Sequence, residues 1–537
     1  MSKFRAVCWW VVLLSSLSVA QVAVTTFHND NYRSGSNPHE ISLTFGSVSV
    51  AHFGKLKVFP VTGFVYAQPL YVPRLVVSGT SHNVVFIATQ HDQVYAFDTA
   101  SGNQLWHADF LRSSNPSVVI STVSPSDVLC NNVIPEIGIS GTPVIDTSSN
   151  ILYVLAVSKE YNTGTHLTTF HQRLHALDLA SGRDQLPPHE ITATAPGTGT
   201  GSVGGLLTFD PLIQDQRPAL LLANGQIYAG WASYCDLESY HGWFMAFDKT
   251  TLNPTGVFVD TANGYEGGFW ASGSGAAADS GGAIYVPTGN GDFTASQGGS
   301  DFGDSILRLS WSQSGLAVSD YFTPWDQQTL DANDSDVASG GVLLLPDQPG
   351  LPHPHLLVQA GKEGTIDLVD RDQMGHWHAG NDDQIVQTLP YALNGIWGSP
   401  AFWNNHLYFS AFNDYLKAFA FDSHAQRLSP SPVSESAQVF YYPAPVPSVS
   451  SNGTNNGIVW AIETDSTYQY NAVLHAYMAG NLAVELYNSE QNSSRDRVGP
   501  AVNYTVPTIA DGHVFVGIQN QVVMYGLLQG GGAGTTH

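Results

Sequence analysis

The chain has 537 residues, with 19 Lys and Arg against 44 Asp and Glu, a formal net charge of −25 and a pI near 4.9. A surface that acidic repels nucleic acid and anionic membranes, and it favours neutral, sugar-like or cationic ligands. No G-x-S-x-G elbow, P-loop or dinucleotide fingerprint stands in the strand–helix setting its chemistry needs, which sets aside the commonest hydrolase and nucleotide-binding classes.

In chain order, Met1–Ala20 reads as an export signal. Lys3 and Arg5 precede the apolar run Val7–Leu17, and Ser18-Val19-Ala20 is a small-residue cleavage site. The apolar run is shorter than the ~20 residues that span a bilayer. The mature protein is expected to be secreted (extracellular or periplasmic), not inserted in a membrane, and monomeric. Residues 21–52 read as an extended N-terminal segment in which Arg33 is expected to pair with Asp30 as a clasp, the alternative being that it plugs or lines the funnel. Residues 53–528 read as one repeat domain, and 529–537 as a flexible Gly-rich tail.

The repeat is plainest at VVFIATQHDQVYAFDTASGNQLW (Val84–Trp106). Weaker copies end in RLHALDLASG, GWFMAFDKTT, YLKAFAFDS and VLHAYMAGN. Strand units recurring every ~40–50 residues are the signature of a β-propeller. Eight central strand pairs can be placed, from VVFIAT/QVYAFD to HVFVGIQ/QVVMYGL. The predicted fold is therefore all-β, an eight-bladed propeller, with seven blades if one weak copy is misread. The last unit lacks a fourth strand, and FGKLKVFPV (Phe53–Val61) is expected to supply it and close the ring.

With strands A to D in each blade, the B–C loops share one face with the crossovers between blades, and several are long. Binding groups concentrate on loops held by rigid scaffolds, so the site is expected on this face, over the central funnel. Cys130 lies in a crossover and Cys235 in a B–C loop, both on that face, and they are expected to form a disulfide.

The candidate residues follow from this layout. His91 and Asp92, at a B–C turn, suit ligand binding or a base with an orienting carboxylate; a polar turn is the plain alternative. Tyr240 and His241, in the loop after Cys235, together with Glu136, just before an A strand, are candidate acid/base catalytic groups. Trp270 and Trp397 also precede A strands and are candidate funnel-lining rings. Lys362 and Glu363 stand at the tip of the GKEG turn as candidate ligand groups. Asn290, Asp292 and Asp304, with Asp301 between them, are oxygen donors at short spacing that suit Ca²⁺.

The motif A-F-D-x-x-x-G-x-x-L-W at Ala96–Trp106 resembles the tryptophan-docking motif of the pyrroloquinoline quinone (PQQ) repeat superfamily, the quinoprotein alcohol dehydrogenase-like propellers. HNDNYRSGSN, PEIGISGTPVID, YHGW, TGNGDF and GKEGTIDLVDRDQMG resemble stretches of secreted bacterial PQQ-like proteins, a resemblance that spans the mature chain and implies no particular activity. The superfamily implies PQQ and Ca²⁺ as cofactors. The chain departs from its dehydrogenases in having no adjacent cysteines and no C-x-x-C-H haem site. Three functions are carried forward: a ligand-binding or scaffold propeller, with glycans as one ligand class; a PQQ/Ca²⁺-dependent dehydrogenase; and a polysaccharide lyase or hydrolase.

Overall fold

The computed structural model describes residues 22–237, 239–464 and 470–528. The expected export signal and Gly-rich tail lie outside the described residues, as does the middle of the 463–471 loop. Strands make up nearly all of the regular structure in the described chain. Among the described residues eight mainly antiparallel sheets follow one another in sequence, with Ser36–Asn37 added in parallel to Ser448–Asn452 and a two-stranded hairpin (Thr194–Pro196 with Leu206–Thr208) between the second and third. Sheet 1 is typical: Leu70–Val77, Thr80–Thr89, Gln93–Asp98 and Gln104–Asp109 pair in that order. The middle strands alternate β-branched and aromatic residues that bury on both faces, because each sheet packs between two others.

The sharp turns are set by local chemistry. Asn224-Gly225, Asn404-Asn405 and Asp511-Gly512 each hold φ of 46–73° at both central positions, the conformation of a two-residue type I′ hairpin turn. Seven of the eight expected central strand pairs are antiparallel ladders among the described residues, for example Ile151–Asn162 with Leu167–Asp178 and Leu356–Ala360 with Ile366–Asp370. The last pair is a hairpin folded at Asn520 within His513–Leu527; a Cβ on Gly526 would lie 3.2 Å from the Gly512 carbonyl. Its outer neighbour is Phe53–Phe64, with Phe53 opposite Leu527.

The cores lie between sheets. Sheets 1 and 2 share Leu70, Phe86, Ile145 and Val154, and sheets 2 and 3 share Val144, Tyr153, Ile227 and Trp243. Equivalent clusters continue to the pair formed by sheets 8 and 1, where Phe59 and Val522 meet Tyr71 and Val85.

The N-terminal segment touches the first strand of every sheet. Val24 pairs with Tyr71, the Thr25 carbonyl accepts from Ile145 N–H, and the Asn31 amide donates to Leu222. The carbonyls of Asn31, Tyr32, Ser34 and Gly35 accept from Ala278, Leu344, Phe402 and Val449, and the Asn37 amide donates to Ile509. It thus satisfies backbone groups that the inner sheet edges leave open.

Arg33 corrects the clasp expected from sequence. It is fully buried, and its guanidinium donates to the carbonyls of Ala276 and Phe27 and to Thr26 Oγ1 rather than to Asp30. Asp30 instead accepts from Ser34. The physical reason is packing: the buried guanidinium is met by the Ala276 and Phe27 carbonyls and the Thr26 hydroxyl, which it reaches from a backbone held at φ of 60°. Burial lowers its pKa to about 10.

Candidate functional site

The chain enters the first strand of each sheet from the same side, so residues just before those strands converge. Trp270, Ser339, Trp397, Tyr442, Tyr504 and Arg217 all hold this position and line one cavity of about 190 Å³. Asp334, Asp336 and Lys362 add charge to its wall, and Cys235 and Asp236 enter from the loop after Gln226–Ser233. The N-terminal segment crosses the same strands further along the chain from those residues. Phe27 there packs on Ala219, Val446 and Val506, so the cavity is a funnel with a floor.

The disulfide expected from sequence is present: Cys130 and Cys235 are bonded with Cα atoms 5.7 Å apart. It ties the Arg112–Ile139 crossover to the loop that carries Asp236 and Tyr240. The Tyr240 hydroxyl donates to Asp236 Oδ1 at 2.8 Å, and its ring stands edge-on to Trp270 at 6.1 Å. Burial raises the Asp236 pKa, and the charges of Asp336 and Asp334 add to the rise against the Tyr240 hydrogen bond. Trp270 is fixed by its Nε1–H to the Gly267 carbonyl, and Gly289 lies so close that a Cβ would meet both Trp270 and Asp336 at 2.6 Å.

Across the funnel, Trp397 is edge-on to Tyr442 at 5.2 Å, and the Tyr442 and Tyr504 hydroxyls are 2.7 Å apart. The Arg217 guanidinium lies 5.3 Å above the Tyr504 ring. Lys362 Nζ sits between Asp336 and Asp334, 2.5 Å from Asp334 Oδ1. Burial opposes its charge, yet the two carboxylates outweigh burial and hold its pKa above the ordinary lysine value.

The other sequence candidates are distributed as follows. His241 is buried outside the funnel lining, with Nδ1 at Thr261 Oγ1 (2.9 Å) and Nε2 at the Thr200 carbonyl (2.8 Å); burial lowers its pKa. Glu136 pairs with His91 Nδ1 at 3.0 Å and accepts from Thr122, away from Tyr240 and His241. Asp92 is buried with neither oxygen hydrogen-bonded, and burial raises its pKa well above the carboxylate range. Glu363 turns away from the funnel into a second cavity. Asn290 donates to Asp334, while Asp301 takes Thr294 and the Asn263 N–H. Asp304 accepts from Val337 N–H and Gln327. Asp292 stands apart from them, against Gly264. Among the described residues, no three His, Cys, Asp or Glu side chains are grouped to hold a metal ion.

Arg217, Asp236, Asp334, Asp336, Tyr442 and Tyr504 escaped the sequence reading. Four of them share the signal that singled out the tryptophans, a place shortly before a first strand or in the loop of Cys235. Asp334 and Asp336 sit in a crossover whose path no local pattern sets.

No protein-family model and no curated protein sequence matches the chain. Solved structures do. The quinohemoprotein alcohol dehydrogenase of Comamonas testosteroni superposes with a TM-score of 0.61 at 15% identity, covering 97% of this chain and 82% of that one. Quinohemoprotein alcohol dehydrogenase ADHIIG of Pseudomonas putida HK5 gives 0.56 at 14%, covering 96% and 81%. A europium-containing methanol dehydrogenase gives 0.59 at 12%, covering 94% and 98%. The chain has the fold of these PQQ-type propeller enzymes, and at such identities the likeness speaks for fold alone.

Proposed function

We propose that the protein is an exported, eight-bladed propeller that binds a small polar ligand of carbohydrate type in its funnel. The eight-sheet series, the pairing of Phe53–Phe64 with the final hairpin and the core between sheets 8 and 1 support a closed ring. The observation that carries the ligand class is the lining. Trp270 and Trp397 present rings from two sheets, while Tyr442, Tyr504, Ser272, Ser339 and Asn132 offer hydroxyl and amide groups around them. Aromatic faces beside a ring of neutral hydrogen-bonding groups match a sugar, which has apolar faces and a polar rim. Among the described residues no helix is long and apolar enough to cross a membrane, in keeping with an exported chain.

The competing reading is a PQQ/Ca²⁺-dependent dehydrogenase, for which the shared fold speaks. The funnel's donor set fits a calcium ion poorly. The carboxylates of Asp334 and Asp336 already face the Lys362 ammonium, and the third acid, Asp236, accepts from Tyr240. For a lyase or hydrolase, His241 and Glu136 stand apart, each with its own partners.

Retention on immobilised polysaccharides, followed by thermal denaturation with each retained sugar, tests the binding reading. A sugar at ~100 times its Kd should stabilise by about 2.7 kcal/mol, with the effect lost in Trp270→Ala and Trp397→Ala. No sugar effect, together with a shift that needs PQQ and Ca²⁺ jointly, would transfer the site to the dehydrogenase reading.

A further inference from the structure

A second cavity, of about 210 Å³, lies across the Gly361–Gly364 turn from the funnel, between sheet 5 and the segment that reaches it from sheet 4. Four carboxylates line it: Asp326, Glu363, Asp367 and Asp382. No Lys, Arg or His is in the lining. Apolar rings stand at its mouth, with Trp325 45% and Tyr391 70% exposed.

Asp367 is the unexpected member. It occupies the middle strand Ile366–Asp370, in register between Gln359 and Thr388. Its strand neighbours Ile366, Leu368 and Val369 are all in the apolar cores between sheets. Alternation places residue 367 on the face of Val369, where a hydrophobic side chain belongs. Asp367 is 6% exposed and opens on the cavity, where the neighbouring Thr388 hydroxyl is the one neutral donor acting on it and no cation in the lining faces it. Burial, then the like charge of Asp382 with smaller contributions from Glu363 and Asp326, pushes its pKa up to about 8. A buried acid with no internal counter-charge leaves its charge to be met from outside the chain.

The chemistry of the complement follows from charge and spacing. Four acids without a counter-charge call for a cation. The four are not grouped closely enough to hold a bare metal ion, as the absence of any such group among the described residues records. A larger cation with an apolar skeleton meets both the scattered carboxylates and the indole and phenol rings at the mouth.

We propose that this second cavity binds an organic ammonium ion, with its nitrogen against Asp367 and Glu363 and its carbon skeleton against Trp325 and Tyr391. The site is independent of the funnel. The adjacent residues Lys362 and Glu363 face opposite sides of one turn, and only the funnel side carries its own cation.

Calorimetric titration of the full mature chain with putrescine, spermidine and tetramethylammonium tests this, with CaCl₂ and glucose as contrasts. At least one ammonium should bind saturably and release protons near pH 7, because Asp367 must ionise to meet it. Asp367→Asn and Trp325→Ala should each weaken it at least tenfold, while Trp397→Ala, in the funnel, should leave it unchanged. Trp325 is partly exposed, so that variant carries the test if Asp367→Asn does not fold. Absence of ammonium binding, binding indifferent to both variants, or Ca²⁺ or glucose binding that depends on Asp367 in place of an ammonium, overturns the proposal.

Discussion

The two cavities on either side of the Gly361–Gly364 turn solve the same electrostatic problem in opposite ways. In the funnel, acids are matched from within: Lys362 answers Asp336 and Asp334, and Tyr240 answers Asp236. In the second cavity the acids take only neutral donors, as Glu363 does from Thr365 and Asp382 from the Trp325 N–H, no cation answers them, and burial keeps Asp367 partly protonated. An internal ion pair leaves hydroxyls, amides and rings to select a neutral ligand, whereas uncompensated carboxylates select charge.

Several measurements can break or sharpen that contrast. The largest effect is expected on the funnel side from the paired change Cys130→Ala and Cys235→Ala. The bond joins residues 105 apart, and its loss should cost about 4–5 kcal/mol in the chain-entropy model, read as a lower denaturant midpoint. Funnel ligand binding should weaken with it, and binding in the second cavity should not. Next, Lys362→Met strands Asp336 without its ammonium, at 9% side-chain exposure, and should cost about 3 kcal/mol by chemical denaturation. A neutral outcome would mean that the pair offsets little beyond its own desolvation.

Trp270→Ala and Trp397→Ala should each weaken a retained sugar at least about tenfold, or ~1.4 kcal/mol, in affinity measurements. On the other side, the Asp367 pKa is about 8 when folded against ~3.9 when unfolded, so between those values the folded state holds a proton that the unfolded state has lost. Stability must therefore fall as pH rises from about 4 to 8. Asp367→Asn should flatten that slope and exceed the parent by at least ~1 kcal/mol at pH 8; identical pH profiles would show that Asp367 ionises freely. The smallest change is Tyr240→Phe, which removes one donor from Asp236 and should cost about 1 kcal/mol by thermal denaturation.

Particular residues show how far the sequence could be read. The central strand pairs were legible because alternation, β-branched residues and Asn-Gly or Asp-Gly turns are local signals. The disulfide was legible once both cysteines had been assigned to one face. Trp270 and Trp397 are legible from their place before first strands; Tyr442, Tyr504 and Arg217 hold that same place, but only the packing of the sheets shows that these positions converge on one cavity. His241 and Glu136 drew attention as isolated catalytic residue types, yet their partners come from residues 200, 261, 91 and 122, which only folding brings to them. The Arg33 clasp failed because a short-range ion pair was assumed where the chain instead buries the cation against carbonyls of sheets far along the sequence.

The sequence by itself determined the repeating strand units, the acidic balance, the face that carries the long loops and the cysteine pair, since each depends on residues near one another or on a count. The tertiary structure alone decided which side chains share a cavity. Lys362 and Glu363 are neighbours in the chain and part to different sites, while Asp334 and Asp336 reach Lys362 across a crossover. Asp367 looks like one polar residue in a strand until the segment arriving from sheet 4 closes a cavity over it that holds no counter-charge. Strand pairing is fixed by short-range periodicity, but the meeting of charges across sheets is fixed by the packing of whole sheets, and no local pattern encodes it.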